Sequence, residues 1–248
     1  MCKEDFTRYE VRRPKGMDNY LMYNGPHFNK ELHDFAVSKM STKVGNREVP
    51  LQPYSKKEVD ELLETYGIKL KNKDGYDYVY ELDKLRSFSG KKLQKKRNHL
   101  NNFMKTYEGR YHYETINQSN LDEVIAYVET LAIDDETLAY EKLGIIKVLK
   151  HLDILEAKGG LIKIDGKIEA FLIASILSET MVQENIEKSN HEINGLAQML
   201  IKEFFSHEYR EYIYLNREDD MGKENLRQSK LSYQPCHLIS KYYISFYD

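Results

Sequence analysis

Hydrophobic and polar positions along the chain change period several times, and those changes outline the elements. Leu161–Ile164 and Lys167–Leu177 are apolar runs on either side of Asp165-Gly166. Asp-Gly between two such runs predicts a hairpin closed by a type I′ turn. Ile168, Ala170, Leu172 and Ala174 alternate with Glu169, Phe171, Ile173 and Ser175. Both faces turn apolar past Glu169, which predicts a central strand. Shorter β-branched and aromatic runs predict strands at Asp77–Leu82, Tyr111–Ile116, Thr180–Ile186, Tyr212–Leu215 and His237–Phe246. Helical spacing appears in five places within the same part of the chain. Gly90–Arg110 sets Leu93, Leu100, Met104 and Tyr107 on one side. Leu121–Leu131 follows a capping Asn120, and Asp135–Glu156 continues the pattern. Leu196–Phe205 turns Leu196, Met199, Leu200 and Phe204 inward, and a last helix lies before Pro235.

The first 75 residues carry fewer signals. Asn29–Met40 has an amphipathic face, and Ser55 and Glu58 form a capping box ahead of Val59–Tyr66. Asn72–Gly75 reads as a turn and a boundary. It divides the chain into an N-terminal region, 1–75, and a larger domain, 76–248. The order in the larger part, strands and helices mixed with a hairpin at its centre, predicts an α+β fold with a mostly antiparallel sheet.

Composition narrows the function classes. A 41% hydrophobic and 31% charged chain of 248 residues is globular, with enough length for a sizeable core. Its net charge of −3 argues against DNA binding by bulk charge. Cys2 and Cys236 alone can build neither a disulfide framework nor a tetrahedral zinc site. The eight histidines show no ligand spacing such as H-E-x-x-H, so no metal is expected. The first residues, MCKEDFTRYEVRR, lack the apolar centre of a signal peptide, and no apolar run approaches a membrane span. These features predict a cytoplasmic protein.

Two stretches carry candidate chemistry. Gly90–Arg110 holds seven cations and one carboxylate, a local +6 in a chain of net −3. An outer face bearing Lys91, Lys92, Lys95 and His99 suits phosphates, of RNA or of a lipid headgroup, although solvated basic faces are common. Asn216–Pro235, NREDDMGKENLRQSKLSYQP, follows a predicted strand. Asp219 or Asp220 can cap a helix there, and Lys223, Arg227 and Lys230 recur at helical spacing as one cationic stripe. Compensation of the helix dipole alone would produce the same pattern. Gly195 stands just before the helix at Leu196, where free N–H groups could meet an anion.

GKKLQKKRNHLNNF at Gly90–Phe103, Glu187-Lys188, and NREDDMG…LRQSKLSYQP together resemble the DUF2156 family from about Tyr76 to the end. That family is similar to the C-terminal domain of phosphatidylglycerol lysyltransferases. The resemblance implies a GNAT-like fold related to the Fem aminoacyltransferases, and an aminoacyl group taken from a charged tRNA to a lipid, peptide or amine acceptor. Glu218 and Asp220 would then hold the donor's amino group or act as base. Arg227 and Lys230 would bind phosphate or stabilise an oxyanion, and Lys92, Lys96 and Arg97 would contact the tRNA or a lipid phosphate, with peripheral membrane contact. Asn216 belongs to the same motif. The basic residue and closely spaced glycines that hold the pyrophosphate of acyl-CoA in GNAT enzymes are reduced to Gly195. An acyl-CoA-dependent N-acyltransferase and a non-catalytic RNA-binding module are therefore the alternatives.

Overall fold

The computed structural model describes residues 76–131 and 136–239, together with the backbone of five short strands elsewhere. The helices expected at Asn29–Met40 and Val59–Tyr66 lie outside the described residues. Seven strands form the main sheet: β1 (Asp77–Glu81), β2 (Tyr111–Thr115), β3 (Ala157–Ile164), β4 (Lys167–Ile176), β5 (Met181–Ser189), β6 (Tyr214–Asn216) and β7 (His237–Ile239). Their spatial order is β7-β1-β6-β5-β4-β3-β2. Every neighbouring pair is antiparallel except β5 and β6. The helices are α1 (Leu82–Ser87), α2 (Gln94–Thr106, entered through a 3-10 turn at Lys91–Leu93), α3 (Leu121–Thr130), α4 (Glu136–Leu149), α5 (Leu196–His207) and α6 (Glu224–Ser232).

The Asp-Gly hairpin forms as its sequence dictates. Asp165 (φ 50°) and Gly166 (φ 80°) are both left-handed, and β3 and β4 pair on either side of them. β4 is interior, with β3 and β5 as neighbours, and every residue from Ala170 to Ala174 is fully buried. Alternation along β4 divides the core between two layers. Ala170, Leu172 and Ala174 pack with α1, α2 and α5 through Leu85, Phe103, Met199 and Phe204. Phe171 and Ile173 pack with α3 and α4 through Val124, Val128, Ile145 and Leu149. A single parallel pair, joined through α5, within an otherwise antiparallel sheet gives the α+β, GNAT-like arrangement.

The predicted C-terminal strand is divided. His237–Ile239 pairs with β1, whereas Lys241–Ile244 joins a separate three-stranded sheet between Arg8–Val11 and Leu70–Lys71. One continuous alternating run thus serves two sheets.

Candidate functional site

β5 and β6 pair over only three residues each, Met181–Gln183 with Tyr214–Asn216. β5 then continues for six residues, Glu184–Ser189, hydrogen-bonded to β4 on its other side. β6 ends, and the chain turns away at Glu218 (φ 57°). The two strands therefore part, and a cavity of about 700 Å³ opens between them, closed laterally by α4 and α6. Glu184, Glu187, Lys188, Arg217, Glu218 and Lys230 supply charge to its wall.

A bulge arranges the two β5 carboxylates. Ala174 faces Glu184 and Ile173 faces Ile186, so Asn185 is an extra residue in β5. Residues three apart normally point to opposite faces of a strand. The extra residue restores Glu184 and Glu187 to one face, opposite Ala174 and Leu172. Both reach Arg217, whose side chain is only 10% exposed. Its Nε donates to Glu184 at 2.8 Å, and one terminal nitrogen donates to Glu187. The guanidinium also lies 5.0 Å from the centre of the Tyr233 ring. Burial opposes the charge on Arg217, but the two carboxylates outweigh it and raise its pKa well above the ordinary value. Burial raises the Glu184 carboxyl; Arg217 opposes that, and Glu187 adds to it. Glu184 Oε2 is buried and receives no N–H or O–H donor, and the Glu184 carboxyl lies within hydrogen-bonding reach of that of Glu187.

Glu218 is exposed at the mouth of the opening, and its Oε1 accepts a hydrogen bond from Gln183. Its backbone N–H donates to Asn216 Oδ1 at 2.7 Å. Asn216 is fully buried and donates from Nδ2 to Asp77 at 3.0 Å, so it fixes the strand end. Lys230 lines the opening, yet its ammonium is turned onto backbone carbonyls: Arg217, Asp219 at 2.6 Å and Glu218 at 3.3 Å. Burial lowers its pKa, and Arg217 lowers it further. Lys96 lies behind Arg217, 3.9 Å above the centre of the Tyr233 ring. Burial, with Arg217 nearby, lowers its pKa to about 8.

Other expected site residues stand apart from the opening. Asp220 is 3% exposed and accepts from Tyr78 Oη at 2.5 Å, Arg227 Nε at 2.8 Å and the Gly222 N–H at 2.9 Å. Arg227 is spent on that carboxylate. Arg97 donates to the carbonyls of Phe88 (2.6 Å) and Gly90 (3.2 Å), which holds the turn ahead of α2. Lys92 projects into solvent.

Neither aspartate caps α6. Asp219 and Asp220 accept from the N–H groups of Met221 and Gly222, two residues on, and close turns before the helix starts with Lys223 as its first flanking residue. Lys223, Arg227 and Lys230 consequently have three separate environments instead of one cationic stripe. Gly195 (φ 87°) also has a packing reason. A Cβ there would run into the His99 carbonyl oxygen and come within 2.9 Å of Phe103 Cβ. His99 Nδ1 lies 2.5 Å from Asn194 Oδ1, so α2 presses on the loop that precedes α5. Among the described residues no three His, Cys, Asp or Glu side chains are grouped as metal ligands, and no helix is long and apolar enough to cross a membrane.

Arg217 and Glu184 are the residues that sequence reasoning missed. Arg217 sits inside the motif between two singled-out positions. Glu184 and Glu187 are three apart in a strand, and the bulge that unites them leaves no mark in the sequence.

The chain belongs to the family described as phosphatidylglycerol lysyltransferase, C-terminal, which matches residues 18–245 and so extends well before Tyr76. An uncharacterised protein of Mycoplasmoides gallisepticum is 27% identical over 186 residues, 72% of this chain and 59% of that protein. A conserved protein of unknown function from Bacteroides thetaiotaomicron superposes with a TM-score of 0.68 at 31% identity, covering 75% of this chain and 66% of the other. The C-terminal DUF2156 domain of a putative lysylphosphatidylglycerol synthetase from Agrobacterium fabrum matches at TM-score 0.49 and 16% identity, over 76% of this chain and 64% of the other. The chain thus spans about three fifths to two thirds of the length of these relatives.

Proposed function

We propose that the opening between β5 and β6 is an aminoacyl-transfer site, with a charged tRNA as donor and the hydroxyl of phosphatidylglycerol as the first acceptor to test. The observation that carries the proposal is the juxtaposition of Glu218 with the buried Glu184–Arg217–Glu187 cluster in one cavity. An aminoacyl ester brings an ammonium group and a carbonyl that becomes anionic on attack. Carboxylates suit the first and cations the second. An activated ester is already reactive, so holding donor and acceptor together is the larger part of the task. Glu218, at the mouth, is the carboxylate for the donor's amino group. Lys92 and its exposed neighbours on the first turn leading into α2 provide contacts for phosphate, and Lys96 contributes charge beside Arg217. Asp220, Arg227 and Asn216 keep the segment after β6 in place, and Lys230 ties its carbonyls together.

The family description supports a lysyl donor and a lipid acceptor. An acyl-CoA donor is less well supported, because α2 packs on the loop where a pyrophosphate would approach α5. The test incubates the protein with a mixed pool of radiolabelled aminoacyl-tRNAs and phosphatidylglycerol vesicles. Label moving into lipid, and not moving with Glu218→Gln, is the expected result. Label that appears only in added peptide or small amines would replace the acceptor. No transfer by the wild-type protein, with retained tRNA binding, would support a binding module instead.

A further inference from the structure

We propose that Gln183, the last β5 residue paired with β6, is a positioning residue that aims the Glu218 carboxylate at the donor's amino group. The inference rests on the aminoacyl-transfer reading of the same opening, in which Glu218 holds that group. It starts from the place where the strands part. Gln183 faces Asn216 in the final register of the parallel pair, and Glu218 follows two residues later. The side chain of Gln183 donates from Nε2 to Glu218 Oε1. Glu218 lines the cavity and Gln183 does not, so the amide acts through the carboxylate.

Packing alone does not account for a buried amide at this position. Met181, two residues earlier and so on the same face of the strand, packs with Val79, Leu177 and Ile239. An apolar side chain at 183 would continue that face. Gln183 is instead 7% exposed, and its Oε1 is buried without a donor. An unsatisfied buried oxygen costs free energy, and the bond from the other end of the amide to Glu218 is the contact that offsets it.

The backbone of Glu218 is fixed independently. Its φ is 57°, its N–H donates to Asn216 Oδ1 at 2.7 Å, and its carbonyl accepts from the Tyr78 N–H at 3.2 Å and from Lys230 Nζ at 3.3 Å. Strands β1 and β6 and helix α6 thus hold the main chain, and β5 adds the hold on the side chain. A glutamate after a strand end otherwise samples several rotamers, and the bond from Gln183 selects one. The chemistry of the donor matters too. Asp220, two residues on, is bound by a guanidinium, with Arg227 Nε at 2.8 Å, whose charge matches its own. A neutral amide directs Glu218 without bringing a positive charge that would compete with an ammonium group.

Gln183→Met keeps the length of the side chain and removes both the donor and the unsatisfied oxygen. Its urea midpoint should match or exceed that of wild type, because a buried oxygen without a donor is lost. Single-turnover transfer from charged tRNA to phosphatidylglycerol vesicles, measured per folded molecule, should nevertheless fall about 10-fold or more, because misdirecting one group is costly in rate. Affinity for tRNA should stay within about twofold, since phosphate contacts carry it. Glu218→Asp, a carboxylate too short for the amide to reach, supplies the second side of a double-mutant cycle. In that background Gln183→Met should change the rate by less than about twofold. Equal losses in the two backgrounds overturn the proposal, and so does a methionine variant that transfers at the wild-type rate. Should methionine prevent folding, Gln183→Asn decides: an amide one methylene shorter should slow transfer about fivefold or more, and a wild-type rate overturns the proposal. Wild-type protein that transfers nothing, or Glu218→Gln that transfers normally, overturns the reading of the site itself, which separates the two failures.

Discussion

Two ion clusters lie on either side of four consecutive residues, Arg217 to Asp220, and they differ in how completely they are satisfied. In the cluster of Asp220, Arg227 and Tyr78, both Asp220 oxygens receive donors: Tyr78 and Arg227 on one, Gly222 and Arg227 on the other. Arg227 and the hydrogen bonds of Tyr78 and Gly222 hold the Asp220 carboxyl down to about 2, against the opposing pull of burial. In the cluster of Glu184, Glu187 and Arg217, one oxygen lacks a donor and the Glu184 carboxyl is pushed up. The first arrangement has the character of a fastening. The second keeps two carboxylates on one buried arginine in the wall of the cavity. Arg217 and Asp220, three positions apart in sequence, thus enter clusters of different character.

Substitutions should expose that division, and the largest effect is expected at Arg217. Arg217→Met leaves two buried carboxylates without their cation, a change that typically costs about 3–5 kcal/mol. Urea unfolding should show it as a large fall in midpoint. A loss under about 1 kcal/mol would mean that water already reaches the cluster.

Asp220→Asn should be milder, about 1–3 kcal/mol, through weakened hydrogen bonds to Arg227 and Tyr78. Its pH dependence is the sharper test. Asp220 titrates near 2 in the folded protein against an ordinary 3.8, so its contribution is complete above the ordinary value. It is lost as the pH falls through about 2. The difference in stability between wild type and the asparagine variant should therefore shrink between about pH 4 and pH 2. A constant difference would contradict the pairing.

Gly195→Ala is expected to cost about 1–3 kcal/mol, because the new methyl group meets the α2 backbone at His99 and φ is left-handed. The loss should appear as faster amide exchange in α2 and at the start of α5. Lys92→Ala should have the smallest effect on stability, within about 0.5 kcal/mol for an exposed side chain. It should weaken tRNA binding uniformly and reduce its salt dependence by about one ion.

Much of the fold is legible in the sequence where one local rule suffices. Asp165-Gly166 fixes the hairpin because few other dipeptides accept two left-handed residues in succession. The doubly apolar β4 could only be interior. Leu196–His207 announces itself by its inward face. The segment at Asn216–Pro235 stands out too, and it does border the cavity. Which of its side chains look into that cavity is a matter of tertiary geometry. Asp220 and Arg227 find each other across a turn, and Lys230 is drawn back onto carbonyls left by the αL residue Glu218. The sequence ends this strand at Ile186 and leaves Glu187 in a loop, whereas the pairing with β4 carries the strand to Ser189 and shows the extra residue. The division of His237–Ile244 between two sheets likewise depends on partners more than 150 residues away.

Glu218 and Asp220 share a motif, and the proposed site gives them opposite duties. Transfer of labelled lysine from charged tRNA to phosphatidylglycerol, measured per folded molecule for Glu218→Gln and Asp220→Asn side by side, tests that assignment directly. The expected result is that Glu218→Gln keeps wild-type stability and loses transfer, while Asp220→Asn loses stability and keeps transfer. The reverse pattern, or equal loss of transfer in both, would contradict the placement of the reaction in the opening between β5 and β6.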